Sequence, residues 1–195
     1  MKAQAPGNGA CVFVRFGGEK KMQKKSVAKL VVAAMCLALA LVLPFLTGQI
    51  REIGSMLCPM HLPVLLCGFL CGWPWGLAVG VVAPLLRSVL FGMPPMFPIA
   101  VSMAVELAVY GFLTGFVSAK LPRKIGWLYV ALVAAMLGGR AAWGVARLVL
   151  AGLSGGSFTM AMFLAGAFTT AIPGIIVQLI LVPALVVAVR RTKVI

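Results

Sequence analysis

Long apolar runs, interrupted at a few places by glycine, proline or basic residues, organise this chain. After a polar and basic start, apolar positions run from about Val27 to Leu46, stop at a loop from Thr47 to Pro59 that carries Arg51 and Glu52, and resume from Leu57 to Phe91. A helix crosses the hydrocarbon core with roughly 20 residues, so the second run is too long for one crossing. The segment Gly72-Trp73-Pro74-Trp75-Gly76 divides it, which predicts two short spans over about 57–73 and 75–92. Gly92 to Pro98 then forms a stiff turn, because its three prolines remove helical donors. Further spans follow over about 98–118, 125–150 and 160–189. The runs lack period-two alternation, which argues against an outer-membrane barrel. The expected fold is therefore an all-α integral membrane protein of six transmembrane helices.

Composition agrees with that reading. The 195 residues are 63% hydrophobic and 10% charged, and mean hydropathy is +1.12. A soluble domain is about half apolar and about a quarter charged, so no soluble fold hides this much apolar surface. The net charge of +14 sits mainly at the two ends and in the loop of Lys120, Arg123 and Lys124, rather than on an aromatic-interleaved face. It reads as topology, not as a nucleic-acid surface. The positive-inside rule places the basic start, the 120–124 loop and the basic end (Arg190, Arg191, Lys193) on the cytoplasmic side. Six spans satisfy all three placements, with both termini cytoplasmic; five would put one cluster outside.

Residues 1–26 read as a basic, disordered tail rather than a cleavable signal, since the apolar run that follows is of spanning length. Met22, directly ahead of QKKSVAKL, is an alternative start. Residues 191–195 form a basic C-terminal tail.

Ionisable side chains inside spans cost about 2.5–3.5 kcal/mol each, so each needs a partner, a cavity or a ligand. Arg87, Glu106, Arg140 and Arg147 are of this kind. Arg140 and Arg147 are two turns apart on one helical face, with Trp143 between them. Three arginines against one glutamate leave a positive surplus that suits a carboxylate-bearing solute, because a guanidinium offers paired planar donors. The structural alternative has Glu106 pairing with one arginine and Arg147 snorkelling to the headgroups. Tyr110, one turn beyond Glu106, and Trp143 can supply flat walls or simply pack. His61 stands at the mouth of the second span, as a ligand contact or a helix cap. Met93, in the proline-rich turn, and the 47–60 loop are natural lids over an outward-facing pocket.

Other chemistries are not expected. The chain lacks a GxxxxGK[ST] phosphate loop and has only three acidic residues, so neither nucleotide hydrolysis nor a carboxylate cluster is available. Ser88, Ser102 and Thr114 have no histidine in their spans, which makes a catalytic triad improbable. Cys67 and Cys71 share a helical face without a His or carboxylate beside them, and no metal site or cofactor is expected. Small residues at four-residue spacing (Ala34/Ala38, Gly76/Gly80, Gly111/Gly115) permit close helix approach, for most of them as ordinary internal packing.

The basic start, Ala34-x-x-x-Ala38, the segment PMHLPVLLCGFLCGWPWGLAVGVVAPLLRSVLFGMPP and AVELAVYGFLTG together resemble a substrate-binding S component of an energy-coupling factor (ECF) vitamin transporter. The resemblance covers about residues 25–190, most specifically 59–115. It implies a vitamin-binding subunit of the plasma membrane that has no ATPase activity of its own. Its expected partners are a transmembrane coupling subunit and two cytosolic ATPases. It also implies that Ala34 and Ala38 form the face that docks on the coupling subunit, and that solute binds near the outer surface. The arginine surplus directs attention to pantothenate, niacin or a folate. A self-contained proton-coupled transporter or channel using Glu106 is the competing expectation; it lacks support from paired acids or an inverted repeat.

Overall fold

The computed structural model describes residues 9–46, 59–122, 124–153, 159–166 and 172–191, with side chains described from 26 to 45 in the first helix and throughout the later ones. Among these residues the regular structure is entirely helical. In chain order the helices are α1 (Gly9–Leu46), α2 (His61–Cys71), α3 (Trp73–Phe91), α4 (Val101–Lys120), α5 (Ile125–Leu153), α6 (Met160–Leu164) and α7 (Ile172–Arg191), with a π-type turn at Met96–Ala100 leading into α4. Five of the helical segments are long and apolar enough to cross a membrane: Ser26–Phe45, Trp73–Phe91, Met96–Lys120, Ile125–Leu153 and Ile172–Arg191. The protein is an all-α, multi-pass protein of the plasma membrane.

The boundaries differ from the sequence expectation in three places. α1 begins at Gly9 instead of near Val27, so the expected tail is helical in its backbone from Gly9 onward. Between Pro6 and Pro44 the chain has no proline, and lysine, glutamine and methionine are good helix formers, so a helix nucleated in the apolar span can continue into the basic segment. α2 has 11 residues, which at 1.5 Å per residue is about half of the ~30 Å hydrocarbon thickness. It is a short interior helix, with all but two of its residues buried, and its last residue, Cys71, lies beside Lys29 near the start of the first span. Of the last expected span, 160–189, the described residues form α6, five residues long, and the membrane-length helix α7, Ile172–Arg191; residues 167–171 between them lie outside the described residues.

The expected break after α2 is a single residue. Gly72 adopts φ 98°, a left-handed value that a side chain would oppose, while Trp73 and Pro74 already belong to the first turn of α3. α4 is the hub of the bundle and packs on α2, α3 and α5. Its seam with α3 is made of backbone: a Cβ added to Gly76 would stand 2.5 Å from the Gly111 carbonyl oxygen, and Gly80 and Gly115 face the backbone of Leu107 and of Trp73. Both glycine pairs therefore serve internal packing. α1 lays Ala33, Cys36 and Ala40 on the core and turns Ala34, Ala38, Met35 and Val42 outward.

Candidate functional site

α4 carries an acid into the interior of a mostly apolar bundle. Glu106, six residues into α4, is 2% exposed. Its Oε1 lies 3.1 Å from Arg140 Nη1, on α5, and 3.5 Å from His61 Nε2, the first residue of α2. The three side chains thus converge from three helices, and His61 and Arg140 are 2% and 9% exposed. A carboxylate and a guanidinium buried together offset each other's desolvation, which is the condition for either to sit at this depth.

One turn along α4, Tyr110 is 1% exposed and meets the His61 ring edge-on, with centroids 5.2 Å apart. Gly139, the neighbour of Arg140, lies against the Tyr110 ring; a Cβ there would approach to 2.9 Å, so α5 reaches this ring only because the residue is glycine. The cluster is not closed in hydrogen-bonding terms. Both nitrogens of His61 and Oε1 of Glu106 are buried and satisfy hydrogen-bond geometry with no protein group, although Oε1 is within ion-pair range of its two neighbours. Such groups are uncommon in interiors, because each forfeits the hydrogen bond it had in water.

The remaining expected site residues fall elsewhere. Arg87 is buried between α1 and α3, donates from Nη1 to the Leu41 carbonyl at 2.8 Å, and lies over the rings of Phe45 and Phe91 at 5.1 and 5.7 Å. Arg147 lies 5.9 Å from the Trp143 ring, which stacks on Phe163 of α6 with centroids 6.2 Å apart. Gly144 faces Phe163, and Gly166 faces Trp143, so α5 and α6 are joined by an aromatic contact. Met93 is exposed in the turn between α3 and α4. The 47–58 part of the expected lid lies outside the described residues. Among the described residues, contacts join His61, Glu106, Tyr110 and Arg140 to one another, Arg87 to α1, and Trp143 to Arg147 and Phe163.

Two groups were not singled out from the sequence. Gln178 is 2% exposed in α7 and is the one amide in that apolar helix, a signal of the same kind as a buried charge. Phe163 carried no such signal, since one more aromatic in an apolar run is unremarkable until its stacking partner is known. The thiols of Cys36, Cys67 and Cys71 are free and buried, and Cys71 Sγ donates to the Lys29 carbonyl at 3.4 Å. Among the described residues no group of His, Cys, Asp and Glu side chains is arranged to hold a metal ion.

The fold is that of a multi-pass membrane protein whose described interior holds a buried polar cluster of His61, Glu106, Tyr110 and Arg140. The family model for "ECF transporter, substrate-specific component" matches residues 28–186 of the 195, and the protein belongs to that family. No curated protein and no solved structure matched the chain.

Proposed function

We propose that this protein is the substrate-binding subunit of an ECF-type importer for a B-group vitamin or a related small solute. On this reading it binds solute from outside and delivers it by docking on a transmembrane coupling subunit driven by two cytosolic ATPases. It is not itself an enzyme, and the solute binds against His61, Glu106, Tyr110 and Arg140. The observation that carries the reading is the unsatisfied hydrogen-bonding capacity of His61 and Glu106 in a buried cluster. A polar solute that supplies those bonds gains the full value of a buried hydrogen bond, and the edge-on rings give it a flat wall. Family membership supports the same role.

The cluster alters the expected solute chemistry. Arg140 faces Glu106, while Arg87 and Arg147 are engaged with other partners, so the positive surplus is not concentrated here. A flat solute with both donor and acceptor groups fits this nearly charge-balanced cluster better than a simple carboxylate. That ordering favours the heterocyclic candidates, niacin or a folate, over pantothenate. Ala34 and Ala38, outward on α1, are the proposed docking positions, where small side chains let a partner helix approach.

Mass spectrometry of small molecules released from gently purified protein tests the reading. A stoichiometric solute is expected, with no uptake by the isolated subunit in proteoliposomes. Uptake without ATPase subunits would favour a self-contained transporter instead.

A further inference from the structure

We infer that His61 selects the solute by accepting a hydrogen bond from it at Nδ1, so that the solute is one with an N–H or O–H group on its rim. This rests on the reading that solute binds at the cluster of His61, Glu106 and Arg140, and it fixes the direction of one bond there. His61 is the chain's single histidine, is buried, and is the first residue of α2. Its Nε2 stands 3.5 Å from Glu106 Oε1, and the same oxygen is 3.1 Å from Arg140 Nη1. A carboxylate that faces a guanidinium carries charge and offers only lone pairs. It would repel an imidazole lone pair turned toward it, so Nε2 is a nitrogen that bears a proton.

A second proton, on Nδ1, would make His61 a cation, and three features of its surroundings oppose that. The ring is removed from water, the guanidinium of Arg140 already faces the shared oxygen, and the first turn of a helix disfavours positive charge. Nδ1 is therefore a lone-pair acceptor. It is buried, and no protein group meets it with hydrogen-bond geometry. Such an acceptor forfeits the bond it makes in water, and a donor on the solute restores it. A solute that turned a lone pair to Nδ1 would leave both groups unpaired, so this contact discriminates by the polarity of the facing group. Of the flat candidates, the pteridine of a folate carries amino and ring N–H groups, whereas nicotinate at neutral pH has acceptors alone.

The test is nitrogen NMR of the full chain in detergent at neutral pH, with the one histidine isotope-labelled on both ring nitrogens. A protonated Nε2 and a bare Nδ1 are expected in the solute-free protein. A proton on Nδ1, with or without one on Nε2, would overturn the proposal. Folic acid, nicotinamide and nicotinate are then titrated in separately; the first two carry N–H groups and nicotinate carries none. A donor-bearing probe is expected to shift the Nδ1 resonance and to bind about tenfold or more tightly than nicotinate. Preference for nicotinate, saturation by either donor-bearing probe with Nδ1 unmoved, or failure of all three to bind would contradict the proposal. The underlying reading fails by a different result, solute occupancy that survives in Glu106→Leu/Arg140→Met.

Discussion

Arg87 and Arg140 are both buried in apolar helices, yet the bundle treats them differently. Arg87 is held between α1 and α3 by a backbone carbonyl and two phenylalanine rings, all of which are available without any ligand. Arg140 faces Glu106, and the histidine beside that acid has both nitrogens unsatisfied. The first arrangement fastens two helices; the second joins three and leaves hydrogen-bonding capacity over. On the proposed reading, incomplete satisfaction of the surrounding groups, rather than burial of a charge, marks the binding site.

The comparison can be broken by substitution, and the largest effect is expected at Glu106. Glu106→Leu leaves Arg140 buried opposite an apolar side chain, which should cost about 3–5 kcal/mol of stability and abolish solute binding. The double variant Glu106→Leu/Arg140→Met should regain most of the thermal stability in detergent while binding stays lost, separating the two roles of the pair. Next comes the α3–α4 seam, where Gly76→Leu forces side-chain atoms into the Gly111 backbone and should lower stability by about 1–3 kcal/mol or prevent folding. Arg87→Met removes one hydrogen bond and two ring contacts, for a loss of about 1–2 kcal/mol, with solute affinity unchanged. The smallest effect on the isolated subunit is expected from Ala34→Leu/Ala38→Leu. Both positions face outward, so stability and binding should hold while uptake by the full complex falls.

The helical membrane fold was legible because apolar periodicity and length leave few alternatives. The seam of Gly76 and Gly111 was visible as paired small residues, though not which helix each would face. Short helices were harder to place. α2 reads as a span because Leu57, Cys58 and Pro59 extend its apolar run, and only the backbone shows that its helix starts at His61. At the candidate site, Glu106, Tyr110 and Arg140 stood out as costly or bulky groups in apolar surroundings, and His61 as a residue at a helix mouth. Their convergence depends on the packing of α2 and α5 on α4, which no local pattern encodes. The same limit separated Arg87 from the cluster: its charge was evident, but the Leu41 carbonyl and the rings that engage it come from contacts between helices.

The most direct test is solute occupancy by native mass spectrometry in the wild type, in Glu106→Leu/Arg140→Met and in Arg87→Met, prepared identically. The account predicts full occupancy in the wild type and in Arg87→Met, and none in the Glu106/Arg140 double variant. Wild-type occupancy in the double variant, with loss in Arg87→Met, would contradict it and move the site to the α1–α3 seam.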